Sequence, residues 1–178
     1  TDNYLRWEQG TKYRNGDDIG TTTVERIDIA KPTIVNLINS VPSVDFGLQV
    51  YNANGNSDTD KPLGNHGGRV VFGIQDMTTS ARSKLETMIN TEIIPSGSTP
   101  LCESLYEASR YFGGKTVEFG SKETVYTPSR DPDAEDPAGT YDSPFSSCSD
   151  KAYVILMTDG APQNDNDADA QVQALGTA

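Results

Sequence analysis

The chain has 178 residues, enough for one α/β domain with a core and too few for two comfortable ones. Its 14 Lys and Arg against 26 Asp and Glu give a formal net charge of -12, which a phosphate backbone or an anionic membrane would repel, so nucleic acid is excluded as a partner. Hydrophobic residues are only 34% of the chain, no apolar run approaches the roughly 20 residues that span a bilayer, and nothing at the start reads as a signal segment.

In chain order, residues 1–23 mix Gly, Asn, Asp and Thr around Tyr4, Trp7 and Tyr13 without a sustained period and read as an extension or insertion. From Val24 to Val41 the apolar positions Ile27, Ala30, Ile34, Leu37, Ile38 and Val41 recur at helical spacing. Pro32 sits inside that pattern, so the helix either starts near it or kinks there. Val44 to Tyr51 alternates, with Val44, Phe46, Leu48 and Val50 on one face, and Arg69 to Ile74 is a short apolar run; both predict strands. The Asn- and Gly-rich residues 52–68 between them read as a surface excursion.

A second helix is predicted over Ser80 to Ile93, burying Ala81, Leu85, Met88 and Ile89, with Thr78, Thr79 or Ser80 as its cap. A third should begin after Ser98 and Thr99 with Pro100 at its first position, burying the stripe Leu101, Leu105, Ala108 and Phe112. Residues 113–150 carry Pro128, Pro132, Pro137 and Pro144 and the acids Asp131, Asp133, Glu135 and Asp136, and read as a long insertion with a hairpin near 116–126. Ala152 to Met157 is apolar throughout, the pattern of a central strand buried on both faces. Ala168 to Leu175 opens another helix. The alternation predicts a doubly wound, mostly parallel sheet flanked by helices, with its functional site beyond the strand ends, where Thr99 and Thr158, Asp159 and Gly160 fall.

Ser-Gly-Ser-Thr-Pro-Leu (96–101), paired with Met-Thr-Asp-Gly (157–160), resembles two metal-binding loops of von Willebrand A-type domains. The series Thr-Pro-Leu-Cys-Glu-Ser-Leu-Tyr-Glu-Ala-Ser-Arg-Tyr-Phe (99–112), Tyr-Asp-Ser-Pro-Phe (141–145) and Ala-Tyr-Val-Ile-Leu-Met-Thr-Asp-Gly-Ala-Pro (152–162) is similar to the PilY or PilC family of type IV pilus tip adhesins. The resemblance covers most of the chain from about Val24, so residues 24–178 are expected to be the A-type domain, interrupted by the insertion at 113–150. It implies a Rossmann-like fold and a metal-ion-dependent adhesion site in which Thr99 and Asp159 hold magnesium or calcium. It further implies attachment, twitching motility and surface sensing through pilins, minor pilins and host or surface receptors, at an extracellular pilus tip or cell surface. The Asp-x-Ser-x-Ser loop of that family does not occur in these residues, so the first strand and the last elements of the fold are expected to lie outside them.

Beside these readings stand plainer ones. Thr99 caps a helix before proline, and Asp159 followed by Gly160 is a turn. Residues 164–169 lack the glycine and bidentate glutamate of an EF-hand, and they, 56–60 and 131–136 read as solvated acidic loops, with weak calcium binding the rival for the latter two. Cys102 and Cys148 pair if the compartment is oxidising and are thiols otherwise; pairing suits a secreted protein, but Cys148 must be carried round to the start of the third helix. An enzyme would need its base from the one histidine, His66, which no motif surrounds, and the hydrolase elbow Gly-x-Ser-x-Gly is absent, so no catalysis is expected. The remaining rival is a structural or mechanosensing pilus-tip scaffold without a working metal site.

Overall fold

The computed structural model describes residues 25–52, 67–95, 99–122, 127–147 and 150–158. Among them are three helices, α1 (Arg26–Ser40), α2 (Thr79–Thr91) and α3 (Leu101–Phe112), and a hairpin of β1 (Phe46–Tyr51) and β2 (Gly68–Gln75). Short 3-10 turns at Phe119–Lys122 and Pro132–Ala134 punctuate the region after α3.

Each element has a local cause. Thr78 caps α2, its hydroxyl accepting from the Ala81 amide at 3.2 Å, within the span expected for the cap. Pro32 lies inside α1, on its exposed side, where its missing N–H faces solvent. The last turn of α1 is finished from outside: the Arg82 guanidinium of α2 donates to the Ile38 carbonyl, which has no partner in its own helix. Lys31 reaches the Asn90 carbonyl at 3.2 Å, so α1 and α2 are joined at both ends of their contact.

β1 and β2 pair antiparallel, Val50 opposite Arg69 and Tyr51 opposite Gly68. The register shifts between Phe46 and Leu48 and again between Leu48 and Gln49. Gly47 sits within this irregularity, where a Cβ would stand 2.7 Å from the Ile74 side chain.

Two cores share β2. On one, Val71 and Phe72 meet Ile38 of α1 and Leu85, Met88 and Ile89 of α2, with Phe46, Leu48 and Val50 of β1 packed alongside. The other joins Val70 to Tyr111 of α3 and to Val117, Ala134 and Tyr141. Each large side chain so enclosed contributes roughly 1.5–3 kcal/mol by leaving water. The period-2 reading of β1 holds for Phe46, Leu48 and Val50 but not for Val44, which precedes the strand and is 46% exposed, and the helical reading of α2 holds.

Three expectations are corrected. The doubly wound, mostly parallel sheet is not present among the described residues, whose sheet has two antiparallel strands. Ala152 to Met157, expected as a central strand buried on both faces, belongs to no helix or strand, with Tyr153 86% and Ile155 68% exposed. A strand exists only where a neighbour satisfies its backbone groups, and the segment forms no ladder with any described strand. The hairpin near 116–126 is replaced, in its described part, by an isolated bridge from Thr116 to Thr140 and the turn at 119–122. Within the insertion Val117, Phe119, Ala134 and Tyr141 are buried. Residues 1–23 and the helix expected at 168–175 lie outside the described residues.

Gly67 makes the approach of the insertion to β2 possible. Its φ is +73°, and a Cβ there would meet Phe119 at 2.6 Å. Gly67→Ala should lower the unfolding free energy by about 3 kcal/mol, the left-handed backbone and the overpacked Phe119 adding together. Chemical denaturation of the two chains measures it; a loss under about 1 kcal/mol would mean that Phe119 moves aside at no cost.

Candidate functional site

The first candidate ligand, Thr99, is half-buried just before α3. Its carbonyl accepts from the Leu101 amide at 3.0 Å, and α3 starts at Leu101 with Pro100 as the capping residue and no side-chain cap. Pro100 thus stands one position earlier than the first-turn place expected for it. Ser104 compensates, its hydroxyl and amide both donating to the Pro100 carbonyl, at 2.7 and 3.2 Å. Asp159, Cys148 and His66 lie outside the described residues, as do 56–60 and 164–169. Cys102 is half-buried in the first turn of α3. Among the described residues no group of three or more His, Cys, Asp or Glu is placed to hold a metal ion.

The face that α3 turns inward is also a correction. Not the stripe Leu101, Leu105, Ala108 and Phe112 but Glu103, Ser104, Glu107 and Tyr111 are buried, a face about a third of a turn away, and Leu105 is 42% exposed. The reason is what the insertion brings against the helix: backbone amides that need acceptors.

Glu107 supplies them. Its Oε1 accepts from the Tyr141 hydroxyl at 2.6 Å and from the amides of Glu118 and Gly120 at 3.2 and 3.3 Å, while Oε2 accepts from the Phe119 amide at 2.9 Å. Burial raises the Glu107 carboxyl above its ordinary value near 4.5, against the lowering effect of those donors. The Tyr141 hydroxyl is pushed up as well, by burial and then by the neighbouring Glu107 charge.

A second carboxylate, Asp131, works the same way on β2. The Asp131 amide donates to the Val70 carbonyl at 2.9 Å, and its Oδ2 accepts from the Gly73 amide at 2.8 Å. The Tyr111 hydroxyl accepts from the Ile74 amide at 2.7 Å, so among the described residues these β2 amides are satisfied by side chains and not by a strand. Arg69 reaches the Pro128 and Tyr51 carbonyls at 2.9 and 3.1 Å and the Asn52 amide oxygen at 3.1 Å, and Asn52 donates to the Phe119 carbonyl at 3.2 Å. Arg130 pairs with Glu135, which also accepts from the Gly139 amide at 2.6 Å. The acids of 131–136 are therefore divided: Asp131 and Glu135 hold the fold together, while Asp133 and Asp136 face solvent as expected.

Chemically, Glu107 is a clamp. Both its oxygens are occupied by the protein's own donors, which leaves no geometry for a substrate proton. Sequence reasoning missed it because a glutamate four residues after Glu103 on a helix normally marks a solvated face. The signal available was Tyr111, a further four residues on, which continues that face with an aromatic ring.

No protein-family model matches the chain, and neither does a curated protein or a solved structure.

Glu107→Ala should cost roughly 3–5 kcal/mol because buried donors from Glu118, Phe119, Gly120 and Tyr141 lose their acceptor, whereas Tyr141→Phe should cost about 1.5–3 kcal/mol. Equal costs for the two substitutions, measured by denaturant unfolding, would show that the amides are satisfied without the carboxylate. The raised carboxyl also fixes a pH dependence. The folded state holds the Glu107 proton to higher pH than the unfolded state, so the stability linked to that proton is complete below about 4.5 and is lost as pH rises through the folded value. The unfolding free energy of the unsubstituted chain should therefore fall relative to Glu107→Gln as pH rises above the ordinary value of 4.5. A difference that stays flat would place the folded carboxyl at its ordinary value.

Proposed function

We propose that this chain is part of an adhesion and assembly module of a type IV pilus tip protein and binds its partners through a divalent cation held by Thr99 and Asp159. The observation that carries this reading is the ordered series at 99–112, 141–145 and 152–162, whose resemblance to the pilus tip family extends well beyond a short motif. The donor chemistry supports it: a neutral hydroxyl and a carboxylate are hard oxygens of the kind magnesium and calcium prefer. Thr99 is partly open to solvent at the mouth of α3, as a ligand must be. Bound there, the ion would supply an electrophilic position for a carboxylate oxygen of the partner. The chain's own part is to hold the ion and leave that position open; no bond is broken, and the module is not an enzyme. Pilins or minor pilins and surface receptors are the proposed partners, outside the cell.

A second reading, a structural or mechanosensing scaffold without a working ion, is favoured by one feature. The insertion is stapled to α3 and β2 by Glu107, Asp131 and Arg69, an arrangement suited to bearing load. Titration calorimetry with magnesium and then calcium separates the two. In the adhesive reading the intact protein binds, its melting temperature rises with ion concentration, and Thr99→Ala and Asp159→Ala each weaken binding at least about tenfold. Absence of heat and of any melting shift with both ions would leave the scaffold reading.

A further inference from the structure

Few dihedrals are free between Thr99 and α3. The Pro100 ring fixes its own φ, here -79°, and a residue before proline is confined to extended backbone, which restricts Thr99. What remains to set the place of Thr99 relative to the helix is the Pro100 ψ, 77°, and that angle aims the Pro100 carbonyl. Ser104 pins this carbonyl with two donors, its hydroxyl at 2.7 Å and its amide at 3.2 Å. The turn is closed by the Leu101 amide, which donates to the Thr99 carbonyl at 3.0 Å.

Ser104 is itself held from the sheet. The Gln49 side chain of β1 donates from Nε2 to the Ser104 carbonyl at 2.7 Å. Inside a helix that carbonyl already has the amide four residues on as its partner, so the Gln49 bond is additional. What it adds is a fixed distance between β1 and the first turn of α3. Gly68, the first residue of β2, makes the space: a Cβ there would stand 2.7 Å from Gln49 Nε2 and 3.1 Å from Ser104 Oγ. Ser104 is only 5% exposed, which keeps water from competing for these bonds.

We propose that Gln49 and Ser104 are positioning residues for Thr99, a relay that runs from β1 through the Ser104 backbone and hydroxyl to the Pro100 carbonyl and sets where Thr99 stands beside α3. The use of that placement for a divalent cation rests on the adhesive reading above; the relay does not. A cation with strict geometric demands gains from a ligand whose place is set in advance, because the ordering cost is then met in folding and not in binding.

Ser104→Ala and Gln49→Met each remove one bond without adding charge, and Ile89→Val in the core of α1 and α2 serves as a destabilised control. The first readout needs no ion. Native-state hydrogen exchange, with a chelator present, follows the Leu101 amide against the Leu85 amide inside α2 of the same chain. The ratio of the two rates should rise about three- to tenfold in Ser104→Ala and in Gln49→Met, the factor expected for one lost hydrogen bond, and stay unchanged in Ile89→Val. A ratio within about twofold of the unsubstituted chain in either variant overturns the inference, because the bond then does not hold the turn. The second readout is titration with magnesium and then calcium, in a cycle with Thr99→Ala. Ser104→Ala should weaken ion binding about three- to tenfold where Thr99 is present and leave it unchanged on the Thr99→Ala background. Equal weakening on both backgrounds would show Ser104 acting elsewhere than through Thr99, and also overturns the inference. If no chain binds either ion while the exchange ratio rises, the adhesive reading fails and the positioning of Thr99 stands. Ion binding with a flat exchange ratio keeps the adhesive reading and removes the relay.

Discussion

The fold depends on the carboxylate of Glu107. The segment that follows α3 has to bend sharply to return across β2, and in bending it turns the amides of Glu118, Phe119 and Gly120 inward, away from any ladder. Buried amides without acceptors would each cost on the order of 1–3 kcal/mol. One side chain on a rigid helix answers all three and takes the Tyr141 hydroxyl as well, so that a stretch rich in proline and glycine becomes a wall of the second core. The same need sets the rotation of α3: to present Glu107 to the turn, the helix carries its leucines sideways.

Around that clamp the polar network and the apolar cores divide the work. The core formed by α1, α2 and the hairpin is held by Leu85, Ile89, Phe72 and their neighbours, with cations of α1 and α2 finishing helix ends. The core under α3 is smaller and more aromatic, Tyr111 and Tyr141 meeting edge to face at 5.4 Å, and it relies on hydrogen bonds to fix its shape. β2 belongs to both. Asp131 and Tyr111 take its Gly73 and Ile74 amides.

This arrangement bears on function through position. Thr99 sits just before the amino end of the helix that Glu107 fixes, and Phe145 stacks on Phe112 at the other end. A change in the clamp would therefore reach Thr99 without touching it. That coupling suits a module whose task is to hold a partner under load, and it is common to the adhesive and the scaffold readings.

The sequence by itself determined the parts whose physics is local. The period of 3.6 placed α1 and α2, alternation placed β1, a short apolar run placed β2, and Thr78 marked a helix start, because capping, side-chain spacing and backbone preference act within a few residues. It also located Thr99 at the entrance to α3, though the helix begins with Leu101 and not with Pro100. What only the tertiary structure decided were relations between distant segments. That β1 and β2 run antiparallel, that Glu107 faces inward while Leu105 faces out, and that Asp131 is a buried clasp and not a solvated loop residue all depend on groups far away in sequence. Ala152–Met157 shows the reason most plainly: composition records that a segment would gain from burial, but a strand also requires a neighbour, and no single segment encodes its neighbour.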